Sequence, residues 1–151
     1  MLIRLVQPHD RAALPDIWLQ SARATHTFLT EDAIQALLPA VREYLHSDGP
    51  ELWVLVTEAG VVAGFMGLAE SKIDALFLAP EHQRQGHGRR LVQHAIALKG
   101  ELAVDVNEQN PGACQFYEAC GFVPVGRSEV DDAGRPYPLV HMRLAESAVR
   151  T

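Results

Sequence analysis

The stretch Gln83-Arg84-Gln85-Gly86-His87-Gly88-Arg89-Arg90 decides the fold of this chain. It follows an apolar run over residues 73–78 and precedes a helical pattern of apolar residues. A strand that leads through a glycine-rich turn into a helix leaves several main-chain N–H groups unpaired at the positive end of the helix dipole. We therefore predict that this turn binds a phosphate group. Positive charge is added by Arg84, Arg89 and Arg90.

The two glycines of the turn, Gly86 and Gly88, are expected to let the main chain approach a ligand closely, because they carry no Cβ atom. A P-loop does not match, since that motif needs Lys and then Ser or Thr where Arg89 and Arg90 stand. A dinucleotide fingerprint does not match either, since Leu91 takes the place of its third glycine. The open alternative is a tight turn whose glycines serve helix packing alone.

Composition predicts one globular domain over residues 1–151, because 48% of the 151 residues are hydrophobic. There is no apolar tract of about 18 residues, so we expect no membrane partner. The charged start Met1-Leu2-Ile3-Arg4-Leu5 is typical of a first strand in a cytoplasmic protein rather than of a secretory signal. The net charge of −6 argues against a nucleic-acid partner and favours cationic substrates.

Apolar periodicity predicts the order β-α-α-β-β-β-α-β-α-β-β. The strands are predicted over residues 2–6, 52–58, 61–69, 73–78, 101–107, 122–130 and 137–144. The first helix begins near residue 8 with Leu14, Ile17, Trp18 and Ser21 on one face. Thr30 is the predicted N-cap of the second helix, and Pro39 is expected to break or kink it. Short turns near residues 60 and 71 predict an antiparallel meander of three strands.

A second motif, Asn-Glu-Gln-Asn-Pro-Gly-Ala-Cys-Gln-Phe-Tyr-Glu-Ala-Cys-Gly-Phe, spans residues 107–122. With this motif the chain resembles the GNAT superfamily of N-acetyltransferases. Their pattern Gln/Arg-x-x-Gly-x-Gly/Ala corresponds to residues 83–88, and their Asn-x-x-Ala-x-x-Phe-Tyr-x-x-x-Gly-Phe corresponds to residues 110–122. The resemblance implies an α/β (α+β) fold: a mixed, mostly antiparallel twisted sheet of about seven strands with about four helices, splayed between the fourth and fifth strands.

The resemblance also implies acetyl-coenzyme A (acetyl-CoA) as the donor. Main-chain N–H groups of residues 84–89 would bind its pyrophosphate, and the free edge of residues 76–78 would pair with its pantetheine arm. The predicted cofactor-binding residues are Leu76, Phe77, Leu78, Gln83, Arg84, Gln85, Gly86, His87, Gly88, Arg89, Asn110 and Tyr117. Asn110 before Pro111 is equally typical of a helix N-cap, and both roles stay open.

Tyr117 is the predicted catalytic acid, since a phenol with a reference pKa of about 10 is protonated at neutral pH and can protonate a leaving thiolate. Its alternative role is aromatic packing. A lysine-like acceptor amine is neutral in only about one molecule in 2,500 at pH 7, so a base is expected. Asp74 is the predicted base, placed by strand alternation on the face that carries Leu76 and Leu78. Its alternative is a solvent-facing carboxylate, and the other candidate bases are Glu70, Glu108 and His26.

His26 and Phe28 lie between the first two helices, where the family commonly builds the acceptor pocket, and Glu108 is a further candidate substrate residue. The charged last hairpin, residues 127–138, is expected to shape the acceptor mouth or to be simply solvated. The seven histidines show no metal-ligand spacing, so no metal site is predicted. Cys114 and Cys120 have no evident histidine partner, which favours direct attack over an acyl-enzyme.

These observations predict an enzyme that transfers an acetyl group from acetyl-CoA to a primary amine. The amine belongs to a protein lysine, a protein N-terminus or a small molecule, and the sequence leaves the choice open. The alternative is a non-catalytic coenzyme A sensor or interaction module on the same fold. A monomer and a homodimer are both compatible with the sequence.

Overall fold

The computed structural model describes residues 1–145, and within them the order of elements is the predicted one. The elements are β1 (Leu2–Leu5), α1 (Leu14–Thr25), α2 (Glu31–His46), β2 (Glu51–Val56), β3 (Val62–Ala69), β4 (Lys72–Leu78), α3 (His87–Lys99), β5 (Ala103–Asn107), α4 (Pro111–Ala119), β6 (Phe122–Ser128) and β7 (Leu139–Leu144). Two short 3-10 helices, Pro8–Ala13 and Pro80–His82, precede α1 and the glycine-rich turn.

The seven strands form one sheet in the order β1-β2-β3-β4-β5-β7-β6. Every neighbouring pair is antiparallel except β4 and β5, which run parallel. This parallel pair joins at two positions in the described residues, Lys72 with Ala103 and Ile73 with Val104. The two strands part beyond these positions, so the predicted splay between the fourth and fifth strands is confirmed.

Each face of the sheet has its own apolar core. On one face α3 and α4 pack with buried residues such as Leu91, Val92 and Tyr117. On the other face α1 and α2 pack with Leu14 and Phe65. We call these the α3/α4 face and the α1/α2 face. The gap between β4 and β5 therefore opens between two packed layers of helices.

The local predictions for α1 and α2 are mostly confirmed. The predicted buried face of α1, residues 14, 17, 18 and 21, is buried. The Thr30 hydroxyl accepts a hydrogen bond from the Ala33 N–H at 3.1 Å, as expected of an N-cap. Pro39 does not break the second helix, since α2 runs without interruption from Glu31 to His46. Burial of Ile34 and Leu38 on the sheet holds α2 together despite the missing N–H.

A β-bulge interrupts β4 at Asp74. On β3 the neighbours Gly67 and Leu68 pair with Ala75 and Ile73, so β4 holds one extra residue between the two pairs. A bulge of this kind reverses the in-and-out alternation of the side chains that follow it.

The bulge overturns one expectation about β4. Leu76 and Leu78 pack on the α3/α4 face together with Ile73, although an unbroken strand would place Ile73 opposite to them. Asp74 instead lies with Lys72 in a cavity on the α1/α2 face. The prediction that Asp74 shares a face with Leu76 and Leu78 is therefore wrong, because strand alternation does not hold across the bulge.

Candidate active site

Six consecutive main-chain N–H groups lie free at the start of α3. In the described part of the chain, none of the N–H groups of residues 84–89 makes a backbone hydrogen bond outside the helices and strands. The first bond of this kind within the turn is that of the Arg90 N–H to the Gly86 carbonyl, at 3.1 Å. The backbone is left-handed at Arg84 and Gly86, with φ of 61° and 84°. Successive free donors at a helix N-terminus can hold a diphosphate.

The two glycines of the turn have different roles. Gly86 has the positive φ that only glycine adopts without strain. A Cβ atom at Gly88 would lie 3.2 Å from Cζ of Phe116, so Gly88 allows α3 to pack tightly on α4. The expectation of close ligand approach therefore rests on Gly86, and the helix-packing alternative describes Gly88.

Two of the three arginines bond elsewhere. The Arg89 guanidinium donates to the Ala119 carbonyl at 3.0 Å, and that of Arg90 donates to the Met1 carbonyl at 3.1 Å. The side chain of Arg84 is exposed at the turn itself. Arg84 is consequently the arginine best placed to add charge to a bound phosphate.

Polar side chains of the turn fix its shape. Nε2 of Gln83 donates to the Leu78 carbonyl at 3.1 Å, and Nε2 of Gln85 donates to the Glu81 carbonyl at 3.0 Å. Nδ1 of His87 is buried without a partner among residues 1–145. Burial, together with the charge of Arg90, lowers the pKa of His87, so its ring is neutral beside the free N–H groups.

The free edge of β4 leads directly to this turn. Leu76 and Leu78 contribute their side chains to the core, so only their main chain is left for the predicted contact with the cofactor. Phe77 faces the other way and stacks on Phe65 with ring centroids 5.6 Å apart. Beyond Ile73 this edge makes no ladder pair with β5 in the described residues, so its main chain is open to a strand-like ligand.

Tyr117 lies on α4, buried on the α3/α4 face. Its ring packs against Phe116 and Phe122, with centroids 5.0 and 5.5 Å apart. Burial raises the pKa of Tyr117, so the phenol keeps its proton at neutral pH. Asn110 fixes the start of the same helix, because its Oδ1 accepts from the Ala113 N–H at 3.1 Å. The aromatic packing and the cap are thus both observed, and neither excludes a contact with the donor.

Asp74 lies in a cavity of about 290 Å³ where β4 and β5 part. The cavity is lined by Lys72, Ile73, Asp74, Asp105, Asn107, Asp131, Asp132, Ala133, Arg135 and Leu139. Partial burial raises the pKa of Asp74 against the opposing charge of Lys72, and the nearby carboxylates of Asp132 and Asp105 raise it further. A carboxylate with a raised pKa is a better proton acceptor, which suits a base.

Aromatic rings form a wall on the α1/α2 face of the sheet, the face that also carries the cavity. The His26 ring lies 5.5 Å from that of Phe28 and 6.0 Å from that of Phe77, and Phe28 lies 6.0 Å from Tyr137. Burial lowers the pKa of His26. The predicted acceptor residues His26 and Phe28 thus lie next to each other, and His26 lies against Phe77 on β4. Tyr137 lies in the last hairpin, which was expected to shape the acceptor mouth or to be simply solvated, although Tyr137 itself was not named as a substrate residue.

The other carboxylate candidates lie outside the cavity. Glu108 pairs with the guanidinium of Arg127 through both carboxylate oxygens, and this pairing lowers the pKa of Glu108. Glu70 stands in the exposed turn between β3 and β4 with a φ of 53°. Asp74 is therefore the better placed of these bases.

Both cysteines are free thiols. Burial raises the pKa of Cys114 and of Cys120, which works against the thiolate that a nucleophile needs. Among residues 1–145 no group of three or more His, Cys, Asp or Glu side chains is arranged to hold a metal ion. None of the helices in that range is long and apolar enough to cross a membrane.

Comparisons with known proteins agree with this geometry. The family model described as "Acetyltransferase (GNAT) domain" matches residues 16–146. Peptidyl-lysine N-acetyltransferase YjaB of Escherichia coli is 44% identical over 140 residues, covering 93% of this chain and 94% of that protein. Peptidyl-lysine N-acetyltransferase YiaC of the same organism is 30% identical over 137 residues, covering 89% and 92%. The solution structure of apo YjaB superimposes with a TM-score of 0.87 at 41% identity, covering 95% of this chain and 97% of that one.

The splayed mixed sheet with its free N–H groups, together with the matching family model, identifies the class of protein as an acyltransferase. The chain belongs to the GNAT family of acetyltransferases, as predicted from its two motifs. Acetyl-CoA is the donor of that family. These matches favour an enzyme over the alternative of a non-catalytic coenzyme A sensor.

Replacing Gly86 by alanine tests the turn, with Gly100 as a matched control. Both glycines have positive φ, 84° and 78°, and no described atom lies within 4 Å of a Cβ added at either. Each alanine should cost about 1–3 kcal/mol of stability because both positions become strained, and the cost should be larger at Gly100, where ψ is −74° rather than 2°. Calorimetry should show affinity for coenzyme A falling about tenfold in G86A alone, equivalent to about 1.4 kcal/mol. Equal affinity in both variants would remove the phosphate-binding role of the turn.

Proposed function

We propose that this protein transfers the acetyl group of acetyl-CoA to the ε-amino group of lysine in a peptide or protein. The observation that carries the proposal is the gap between β4 and β5. A buried phenol lies on the α3/α4 face of the sheet, and a cavity rich in carboxylates lies on the α1/α2 face, where these strands part. A donor that occupies the gap would present its thioester to an acceptor on the α1/α2 face.

The donor side is supported by two adjoining features. The six free N–H groups of residues 84–89 suit the pyrophosphate of coenzyme A. The open main chain of residues 76–78 suits the amides of the pantetheine arm, which would add to the sheet as a strand does. Since the turn directly follows β4 in the chain, one extended ligand can occupy both.

The acceptor side suits a lysine side chain. A lysine has an apolar stem of four carbons and a cationic head. The aromatic wall of His26, Phe28 and Tyr137 offers apolar surface to the stem. In the described residues Asp74 and Asp132 make no salt bridge, so two carboxylates of the cavity are available to an ammonium group. The named relatives are peptidyl-lysine N-acetyltransferases, which supports the same acceptor.

The two titratable groups divide the proton transfers between them. Bound acetyl-CoA supplies a thioester carbonyl and a thiolate leaving group. Asp74 takes one proton from the lysine ammonium, so that the neutral amine can attack the carbonyl carbon. Tyr117 gives its phenol proton to the departing sulfur. The second amine proton, lost as the amide forms, restores the proton on Tyr117, and Asp74 gives its proton to water. Each turnover therefore yields acetyl-lysine, the free thiol of coenzyme A and one proton.

A panel of amines tests the acceptor. Lysine peptides, N-terminally free peptides without lysine, spermidine and an aminoglycoside are each incubated with acetyl-CoA while thiol release is followed. We expect kcat/KM for the lysine peptides to exceed that for spermidine at least about tenfold, a difference of about 1.4 kcal/mol. Mass spectrometry should place the acetyl group on the ε-nitrogen. Turnover of spermidine with no turnover of any peptide would overturn the lysine assignment.

Removing the Tyr117 hydroxyl tests the acid. Tyr117→Phe keeps the ring that packs on Phe116 and Phe122, so the fold and the affinity for coenzyme A should hold. We expect kcat to fall about 100-fold, the usual worth of a positioned acid. The control is Ser47→Ala, which removes a half-buried hydroxyl at the end of α2 that donates to the Tyr44 carbonyl. Should both variants retain full kcat, Tyr117 is a packing residue only.

Asp74 and Asp132 make opposite predictions for the pH dependence. The base form of Asp74 is the carboxylate, so the rate should fall as pH drops through the raised pKa of Asp74. Asp74→Asn should lower kcat at the higher pH values, where the wild-type rate is constant. It should also remove the fall in rate at acidic pH. Asp132→Asn should leave the constant kcat at higher pH unchanged. The fall in rate should move to lower pH, since the Asp132 charge helps to raise the pKa of Asp74. An unchanged profile in the first variant would exclude Asp74 as the base.

A further inference from the structure

A chain of four polar side chains leads from the cavity, which Lys72 and Asp105 line, to His141 and Ser128, which do not line it. Oγ of Ser128 lies 2.6 Å from Nε2 of His141, and Nδ1 of His141 lies 2.6 Å from Oδ1 of Asp105. The second carboxylate oxygen of Asp105 accepts from Nζ of Lys72, also at 2.6 Å. Each contact is a short hydrogen bond between groups that carry or share protons.

The strand register explains why these residues meet. Asp105 on β5 is the direct cross-strand partner of His141 on β7, and His141 is paired with Gly126 on β6. A bulge between Pro124 and Gly126 sets this pairing. From its place opposite Gly126, the imidazole lies across β6 and reaches Ser128 two residues further on.

The order of atoms is that of an activated serine. A nucleophilic hydroxyl needs a base within hydrogen-bonding distance and a third group that orients the base through its other nitrogen. Here Ser128 contacts Nε2 and Asp105 contacts Nδ1 of the same ring, as in a serine-histidine-aspartate triad. Although burial acts to raise it, the pKa of Asp105 is lowered by the bonds from His141 and Lys72, so Asp105 is ionised and holds the Nδ1–H tautomer of His141.

The serine is also reachable and has main-chain donors beside it. The side chain of His141 is 33% exposed, and Ser128 is half-buried, so a small ester can approach both. The N–H groups of Glu129 and Val130 directly follow Ser128. Within residues 1–145 neither makes a backbone hydrogen bond outside the strands. Free N–H groups after a nucleophile can stabilise the oxygen that becomes negative during acyl transfer.

We propose that Ser128 is a second acyl-transfer centre, which accepts the acyl group of small activated esters and thioesters. Oγ of Ser128 attacks the carbonyl carbon while Nε2 of His141 takes the hydroxyl proton. The ester or thioester bond breaks, and the leaving alkoxide or thiolate receives that proton from His141. Water then hydrolyses the acyl-serine by the same exchange, giving a carboxylic acid and free Ser128. None of these steps uses Tyr117 or Asp74.

Covalent labelling of the full chain tests this proposal without acetyl-CoA. The protein is treated with a fluorophosphonate that labels activated serines, and p-nitrophenyl acetate hydrolysis is followed separately. We expect one label, on the peptide that contains Ser128. Ester hydrolysis should fall about 100-fold in both S128A and H141Q, since each removes the serine-base pair. The control is S71A, which removes an exposed serine from the turn between β3 and β4.

The variants separate this activity from the proposed lysine acetylation. S128A should keep the wild-type melting temperature and the wild-type rate of acetyl transfer to peptides, because Ser128 touches neither the gap nor the cavity. Failure of acetyl transfer in the wild-type chain would leave the labelling result intact. Equal labelling of Ser128 in H141Q and wild type, or hydrolysis unchanged in S128A, would overturn the second centre.

Discussion

The brief parallel pairing of β4 with β5 is the constraint on which the rest of the structure depends. A parallel ladder normally pairs main-chain groups along both strands, yet here it ends after Ile73 and Val104. The groups of β4 beyond that point lie in the middle of the sheet, where unpaired polar groups are costly unless water or a ligand satisfies them. The sheet thus carries an internal free edge. The N–H turn and the carboxylate cavity adjoin that edge, and Tyr117 is buried in the same core as Leu76 and Leu78.

The bulge at Asp74 distributes the chemistry between the two faces. It allows Leu76 and Leu78 to stay in the α3/α4 core while the carboxylate next to them points into the cavity on the α1/α2 face. Lys72 pairs with Asp105 rather than with Asp74, at 2.6 Å. This partly exposed ion pair adds little stability, but it spans the strands where their ladder ends. Partial burial and the charges of Asp132 and Asp105 raise the pKa of Asp74, while the charge of Lys72 opposes them.

Sequence predicts those parts of this protein that depend on local signals. The turn around Gly86, the Thr30 and Asn110 caps and the order of strands follow from spacing, periodicity and capping chemistry. The bulge at Asp74 does not, because it is a register shift set by the partner strand β3. The meeting of Asp105 with His141 also depends on pairing between distant segments. Contacts between residues so far apart in the sequence can be predicted only once the pairing of the strands is known.

The roles of Gly88 and Arg89 show how the turn and Tyr117 are held together. Gly88 lets α3 approach the ring of Phe116, and Arg89 bonds to the Ala119 carbonyl at the end of α4. A cation at a helix C-terminus is favourable because the free carbonyls there carry partial negative charge. Both residues belong to the glycine-rich turn and the start of α3, yet each contacts α4. The motif therefore specifies two things at once: the free N–H groups, and the fixed position of the Tyr117 helix relative to them.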